Sequence, residues 1–111
     1  MASTTAVPSI TDAEFASEIA HGVVAVDFTA DWCPPCRMME PIIEQVARDY
    51  AGSVRVLQMD TDDNPATMVK LGVLGLPTLL VFRDGAIVDR IVGAVPPKTL
   101  RQRLDAVVNA R

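Results

Sequence analysis

The stretch Trp32-Cys33-Pro34-Pro35-Cys36 contains both cysteines of the chain, three positions apart. Residues three apart on a helix face the same side, with about 5–6 Å between their Cβ atoms. Disulfide geometry allows about 4.4–6.8 Å between Cα atoms, so Cys33 and Cys36 can form and reopen a local bond. A bond that closes so short a loop stabilises little, because that stabilisation grows with loop length. The spacing therefore predicts a reversible redox pair rather than a structural crosslink.

Length, composition and charge limit the classes to which the chain can belong. Its 111 residues are 50% apolar, which is enough for one hydrophobic core, and we expect a single domain over residues 1–111. The net charge of −4 disfavours nucleic acid and anionic membranes as partners. No signal peptide and no apolar run long enough to cross a bilayer is visible. We therefore expect a cytoplasmic protein, in a compartment where a cysteine pair is more often catalytic or metal-binding than structural.

The two cysteines are poor candidates for a metal centre or for haem attachment. Tetrahedral zinc needs four ligands, and His21 is the only histidine in the chain. Attachment of c-type haem uses the pattern C-x-x-C-H, and Arg37 stands where the histidine belongs. We therefore expect no metal, and redox chemistry is favoured over a pair of inert buried cysteines.

Apolar runs alternate with helical patterns along the chain, which predicts an α/β fold. The predicted helices begin at the capping box 11–14, after the cysteines, at Asn64-Pro65 and at Pro97. Gly22 is expected to end the first of these helices. The predicted strands lie at 6–10, 23–29, 54–59, 79–82 and 86–92, with Asp84-Gly85 in the turn of the last hairpin.

Several motifs resemble the thioredoxin family in their order and spacing. They are Val26-Asp27-Phe28, Trp32-Cys33-Pro34-Pro35-Cys36-Arg37, Pro41, Leu76-Pro77-Thr78 and Val92-Gly93-Ala94. The likeness covers nearly the whole chain, from about residue 6 to residue 108, and the combination is far more specific than a lone C-x-x-C. It implies a thioredoxin fold, an α/β arrangement in which a five-stranded mixed sheet of order 1-3-2-4-5 is flanked by four helices. That strand order is implied by the resemblance and not by periodicity.

The position of the cysteines at the start of a helix predicts their chemistry. Only a thiolate attacks a disulfide, and a free thiol with a pKa of about 8.5 is mostly protonated at neutral pH. A helix N-terminus stabilises a thiolate through its dipole and its unpaired N–H groups. We expect Cys33, before the first turn, to be the exposed nucleophile, and Cys36, one turn inside, to be the shielded resolving thiol. Cys33 then forms a mixed disulfide that Cys36 resolves.

Asp27 is a candidate catalytic residue because it lies between apolar residues on a strand predicted to be covered on both faces. Burial disfavours the ionised form, so its pKa should be raised. A carboxyl group of this kind can take the proton of Cys36 during resolution, directly or through water, and the resemblance assigns it that role. The alternative is a half-exposed aspartate at the end of a strand, with no function.

The pair Leu76-Pro77 is a candidate substrate-binding segment. An X–Pro bond in a folded protein is cis in only about 5–6% of cases, but the resemblance implies a cis bond that faces the cysteines. Proline donates no main-chain hydrogen bond, which leaves the backbone of Leu76 to pair with an extended substrate. The resemblance further implies a docking rim that comprises Trp32, Pro34, Pro35, Gly93 and Ala94. For Trp32 the alternative is burial in the core.

Three positions depart from the family pattern. Pro34 stands where glycine is usual between the cysteines, Val56 stands where the family has a buried lysine, and Thr29 stands where a tryptophan is common. Without that lysine Asp27 lacks a cationic neighbour, which should raise its pKa further. Pro34 bears on the redox potential, and Thr29 leaves Trp32 as the only tryptophan.

These features predict a thiol–disulfide oxidoreductase that reduces protein disulfides, with no cofactor besides the Cys33–Cys36 disulfide. The resemblance implies a thioredoxin reductase as electron donor and disulfide-containing proteins as substrates, and we expect a monomer. One alternative is a thiol oxidase or disulfide isomerase, which the missing export signal disfavours. Another is a binding or chaperone subunit with idle cysteines, and the retention of both Cys33 and Cys36 argues against it.

Overall fold

The computed structural model describes residues 6–110, in which helices cover both faces of a four-stranded mixed sheet. The elements in chain order are α1 Phe15–Glu18, β1 Val23–Thr29, α2 Pro34–Asp49, β2 Arg55–Asp60, α3 Pro65–Lys70, β3 Thr78–Arg83, β4 Ala86–Val92 and α4 Pro97–Asn109. The strand order is β2-β1-β3-β4; β1 runs parallel to β2 and antiparallel to β3, and β3 and β4 are antiparallel. Within residues 6–110 no helix is both long enough and apolar enough to cross a membrane.

The fifth strand predicted at residues 6–10 does not form, so the five-stranded order is wrong in this detail. The segment makes only an isolated parallel bridge between Ser9 and Gln58. The N–H of Gln58 donates to the carbonyl of Pro8, and the N–H of Ile10 donates to the carbonyl of Gln58, each at 2.9 Å. Pro8 has no N–H to donate, which prevents a longer ladder. The segment nevertheless lies beside β2, where the first strand was expected, and the order of the other four strands agrees with the prediction.

The first helix is shorter than predicted, although its capping box forms. The N–H of Glu14 donates to Thr11 Oγ1 at 3.3 Å, and the N–H of Thr11 donates to Glu14 Oε1 at 2.9 Å. This reciprocal pair is the pattern of a capping box. Regular α-helix then covers only Phe15–Glu18, and Gly22, with a φ of +73°, ends the segment before β1.

Different helices cover the two faces of the sheet. On one face α2 and α4 pack against apolar residues of the strands, among them Ala25, Val56, Val81 and Ile91. On the other face residues of α1 and α3 pack against Val24, Val26, Phe28 and Leu80. β1 is central and covered on both faces, which explains its nearly continuous run of buried residues. This coverage buries Asp27, whose exposed fraction is 4%.

The outer edge of β4 is partly closed by side chains. The N–H of Arg90 donates to Asp89 Oδ1 at 2.8 Å, and its carbonyl accepts from Arg103 Nη2 at 3.1 Å. Arg103, from α4, also donates to the Asp89 carboxylate through Nε and Nη2, at 2.7 and 2.5 Å. Free backbone groups at a sheet edge invite strand addition. The ion pair therefore protects part of this edge.

A side chain from the start of the chain caps α3. Asp12 accepts from the N–H groups of Ala66 and Thr67, at 3.1 and 2.9 Å. Asn64 occupies the N-cap position as predicted, but its side chain makes no capping bond to the helix. Its Oδ1 instead accepts from the N–H of Asp12 at 2.9 Å. These bonds join the turn at 11–14 to α3, more than 50 residues away.

We expect Asp12→Ala to destabilise the fold at neutral pH by leaving N–H groups of α3 without their acceptor. The hydrogen bonds with Thr67 and Ala66 hold the pKa of Asp12 below its usual value of 3.8. Its stabilising effect is therefore fully present above about pH 4 and is lost as the pH falls through the lowered pKa. Urea titrations at about pH 7 and pH 3 measure the difference. Asp63→Ala, at an exposed position, is the control because it removes the same charge. Equal urea midpoints for the two variants at pH 7 would contradict the capping role of Asp12.

Candidate active site

Cys33 and Cys36 form a disulfide at the start of α2. Cys33 is the N-cap residue, with extended backbone (φ −95°, ψ 105°), and its Sγ accepts from the N–H of Cys36 at 3.3 Å. The two Cα atoms are 5.3 Å apart, which lies within the range that disulfides require. The first turn of α2 therefore directs an N–H donor at the sulfur of Cys33, and such a donor favours a thiolate there.

Both cysteines are buried, so the prediction that Cys33 is the exposed member of the pair is wrong for the disulfide form. The exposed fraction is 3% for Cys33 and 2% for Cys36. The pair clusters with buried Ala30, and half-buried Leu76 packs against the cluster. Leu76 belongs to a distant part of the chain. Its contact helps to bury Cys33, which the position of Cys33 before the first turn of α2 did not predict. Position in the helix, rather than exposure, distinguishes the two sulfurs.

Asp27 lies in β1 beside a small, largely apolar cavity. Its other lining residues are Met39, Ile43, Pro77, Leu79, Ile91, Gly93, Val95 and Leu100. Burial raises the pKa of Asp27 from 3.8 to about 7, and the negative charge of Glu40 is the second cause. Val56 is buried among aliphatic side chains, and no cation contributes to this shift. The predicted burial and raised pKa are confirmed, and the alternative of a half-exposed aspartate is wrong.

The Leu76–Pro77 peptide bond is cis, as the resemblance implied. Pro77 is buried and Leu76 is half-buried. The carbonyl of Pro77 accepts from the N–H of Gly93 at 2.7 Å, which joins the loop before β3 to the loop after β4. Ala94 follows as an exposed residue. The structure thus brings Leu76 to the cysteines and brings Pro77 and Gly93 to the cavity beside Asp27.

Trp32 is 66% exposed, so burial in the core is wrong for this residue. Its indole Nε1 donates to Asp62 Oδ2 at 2.9 Å. Pro34 and Pro35 are exposed in the first turn of α2. Sequence reasoning missed Asp62, because it is one of several acidic residues between β2 and α3 and nothing local distinguishes it.

The site contains the groups that thiol–disulfide exchange needs. A helix N-terminus stabilises a thiolate, a carboxyl group with a pKa of about 7 can accept a proton near neutrality, and half-buried Leu76 packs against the cysteine pair. In residues 6–110 no group of three or more His, Cys, Asp or Glu side chains is arranged to hold a metal ion.

Comparison with known proteins agrees with this chemistry. The family model described as Thioredoxin matches residues 6–106. Proteins named Thioredoxin from Staphylococcus aureus strain Mu50 / ATCC 700699 and strain MW2 are each 46% identical to this chain over 100 residues. Each alignment covers 90% of this chain and 96% of the relative.

Proposed function

The chain belongs to the thioredoxin family, and from this premise we propose that Cys33 is the attacking thiol and Cys36 the resolving thiol of its reaction. As a member of that family it is a thiol–disulfide oxidoreductase that reduces protein disulfides. The observation that carries the assignment is the N-cap position of Cys33, where its Sγ accepts from the N–H of Cys36 at 3.3 Å. That donor favours a thiolate at Cys33 and gives no such help to Cys36.

The proposed reaction transfers two electrons to the substrate in two exchanges. The Cys33 thiolate attacks one sulfur of a substrate disulfide, the substrate S–S bond breaks, and the other sulfur leaves as a thiolate that takes a proton. Cys36 then loses its proton and attacks Cys33 Sγ, which releases the second substrate thiolate and forms the Cys33–Cys36 disulfide. Asp27 accepts the Cys36 proton, directly or through water, and a pKa of about 7 suits a base at neutral pH.

Substrate binding is proposed to use the backbone of Leu76 and the surface around the cysteines. An extended substrate segment pairs with the backbone of Leu76, as in β-strand addition. Pro77 has no N–H and cannot donate such a main-chain hydrogen bond itself. The docking rim comprises Trp32, Pro34, Pro35, Gly93 and Ala94, and buried Pro77 is next to Leu76 in the sequence. The exposure of the Trp32 ring and its hydrogen bond to Asp62 support a place on the surface rather than in the core.

The oxidised pair must receive two electrons, and family membership supports a thioredoxin reductase as their source. We propose a monomeric cytoplasmic protein whose residues 1–111 form one domain and whose only redox group is the cysteine pair. The net charge of −4 argues against nucleic acid as a partner.

A turnover assay tests the function. The protein, a thioredoxin reductase and a protein disulfide substrate should together consume NADPH, and omission of any of the three should stop the consumption. If the disulfide form instead oxidises reduced dithiol proteins and the dithiol form reduces none, the thiol oxidase alternative replaces the reductase.

We expect Pro34→Gly to shift the reduction potential by less than about 30 mV, which is about 1.4 kcal/mol for a two-electron couple. Pro34 and Pro35 are the first two residues of α2, and the local donor to Cys33 Sγ is the N–H of Cys36. An N-cap side chain accepts from the second or third helical position, so glycine at the first position restores no donor. Pro35 does not delay the start of the helix, since α2 already begins at Pro34. Equilibration with glutathione measures the potential.

Pro35→Ala is the matched control for Pro34→Gly. It adds an N–H at the second helical position, within the range of an N-cap acceptor, so it should stabilise the Cys33 thiolate and make the protein more oxidising than Pro34→Gly does. The wild-type potential should lie nearer the value of about −270 mV typical of thioredoxin than the strongly oxidising value of about −120 mV. A larger shift from Pro34→Gly than from Pro35→Ala would contradict the capping argument.

A further inference from the structure

Several large apolar side chains that are exposed to solvent lie on the chain segments that contribute to the site. In the part of the chain that the structure describes there are seven: Trp32, Met38, Val69, Leu74, Ile87, Val88 and Val92. Four of them lie on the segments that form the site: Trp32 and Met38 beside the cysteines, Leu74 before the cis proline, and Val92 before Gly93. Single exposed apolar residues are ordinary, but several of them on the segments that carry a reactive centre favour a binding surface there.

Leu74 is the most exposed of these side chains, with an exposed fraction of 96%. The chain on both sides of it is fixed. Val73 is 2% exposed, and its N–H donates to the carbonyl of Met68 at 3.0 Å. The carbonyl of Gly75 accepts from Thr78 Oγ1 at 2.7 Å. The backbone that carries Leu74 is therefore fixed while its side chain is exposed to solvent. A partner that binds there needs to order little of the loop.

The position of Leu74 along the chain, two residues before Leu76, limits which part of a substrate it can contact. Leu76 packs against the cluster of Cys33 and Cys36, and Leu74 is two residues away, at most about 7 Å along the backbone. A substrate cysteine under attack contacts Cys33 and hence lies beside Leu76. An extended chain advances about 3.3 Å per residue, so about two residues carry the substrate from that point to Leu74.

We propose that Leu74 is a specificity-determining residue that binds an apolar side chain about two residues from the attacked cysteine of a protein substrate. The occupant is an extended segment of the substrate, because Leu74 is two residues from Leu76, which packs against the disulfide on which that substrate reacts. This proposal rests on the proposed function, since it takes Cys33 as the point of attack. Burial of part of Leu74 and of the substrate side chain supplies the preference.

A cycle of substitutions in the protein and in the substrate tests this proposal. The probes are two synthetic disulfide-linked peptides that differ only in having leucine or serine at the second position on either side of the cysteine. Leu74→Ser should lower kcat/KM for the leucine peptide about five- to tenfold, as expected for half-burial of a leucine side chain, and leave the serine peptide unchanged. Val88→Ser is the control: Val88 is also exposed (46%) but lies four residues before Val92 in β4, roughly 13 Å along the strand.

Other results would overturn the assignment. Equal losses on both peptides, no loss on the leucine peptide, or the same loss in Val88→Ser each contradict a contact specific to Leu74. Self-association of the wild type that Leu74→Ser abolishes in sedimentation would identify a second copy of the chain as the occupant instead. Reduction of a small aromatic disulfide at equal rates by wild type and Leu74→Ser shows that the cysteine chemistry is intact. If wild type reduces neither this compound nor the peptides, the proposed function itself has failed.

Discussion

Cys33→Ser is expected to abolish reduction of a protein disulfide, whereas Cys36→Ser is expected to turn the protein into a trap for its substrates. In the first variant no thiolate remains at the position that the first turn of α2 stabilises. In the second variant Cys33 still attacks and forms the mixed disulfide, but no thiol resolves it. Incubation with a disulfide-containing protein, followed by electrophoresis without reductant and mass spectrometry of the adduct, measures both outcomes.

The double variant Cys33→Ser/Cys36→Ser controls for trapping by non-specific association, and it should form no adduct. Activity retained in Cys33→Ser would contradict the assignment of the nucleophile. Trapping by Cys33→Ser through Cys36 would reverse the two roles. Exposure gives no independent answer, because both cysteines are almost completely buried in the disulfide form. The experiment therefore tests the position in the helix as the feature that decides which sulfur attacks.

Sequence reasoning predicted best those features that depend on neighbours along the chain. The bounds of β1 agree with the prediction, and the turn residues Asp84 and Gly85 have the positive φ values, +50° and +88°, that a tight hairpin favours. Cys33 was expected before the first turn of the helix, and it occupies the N-cap position of α2. In each case the physical cause lies within a few residues of the feature it explains.

The features that sequence reasoning missed depend on contacts between distant parts of the chain. Asp12 caps α3 from more than 50 residues away, and Asp62 accepts from the Trp32 indole across 30 residues. The burial of Cys33 involves Leu76, which belongs to the loop before β3. The segment at 6–10 was predicted as a short edge strand, a position that tolerates proline, but it makes only an isolated bridge between Ser9 and Gln58. Periodicity and capping patterns contain no information about such pairings.

The pKa of Asp27 is an intermediate case, because the sequence predicted that it is raised but not by how much. A carboxyl group on a strand covered on both faces was expected to have a raised pKa, and the pKa is raised to about 7. The contribution of Glu40 was not anticipated, because Glu40 lies on α2 and nothing in the sequence sets its distance from β1. The size of the shift in the pKa of Asp27 thus depends on how the helices pack against β1.

Asp27→Asn and Asp27→Ala are expected to become more stable relative to wild type as the pH rises. The folded pKa of about 7 exceeds the ordinary value of 3.8, so between these values the folded state of wild type holds more protons than the unfolded state. Wild-type stability should therefore fall by about 1.4 kcal/mol per pH unit over this range, by roughly 4 kcal/mol in total, and level off above about pH 7. Urea titrations at about pH 4 and pH 8 measure it, with exposed Asp63→Ala as the control.

The same substitutions should slow the resolution of the mixed disulfide, because Cys36 then loses its proton without a base nearby. In wild type the rate of resolution should rise as the pH passes through about 7, where Asp27 ionises, and in Asp27→Asn that rise should be absent. Stopped-flow measurement of release from the Cys33 adduct distinguishes the two profiles. The two experiments are linked, because one carboxyl group is held responsible for both effects. Destabilised variants at pH 8 would mean that the ionised carboxylate is satisfied in the folded protein, and Asp27 would then lose its support as the proton acceptor.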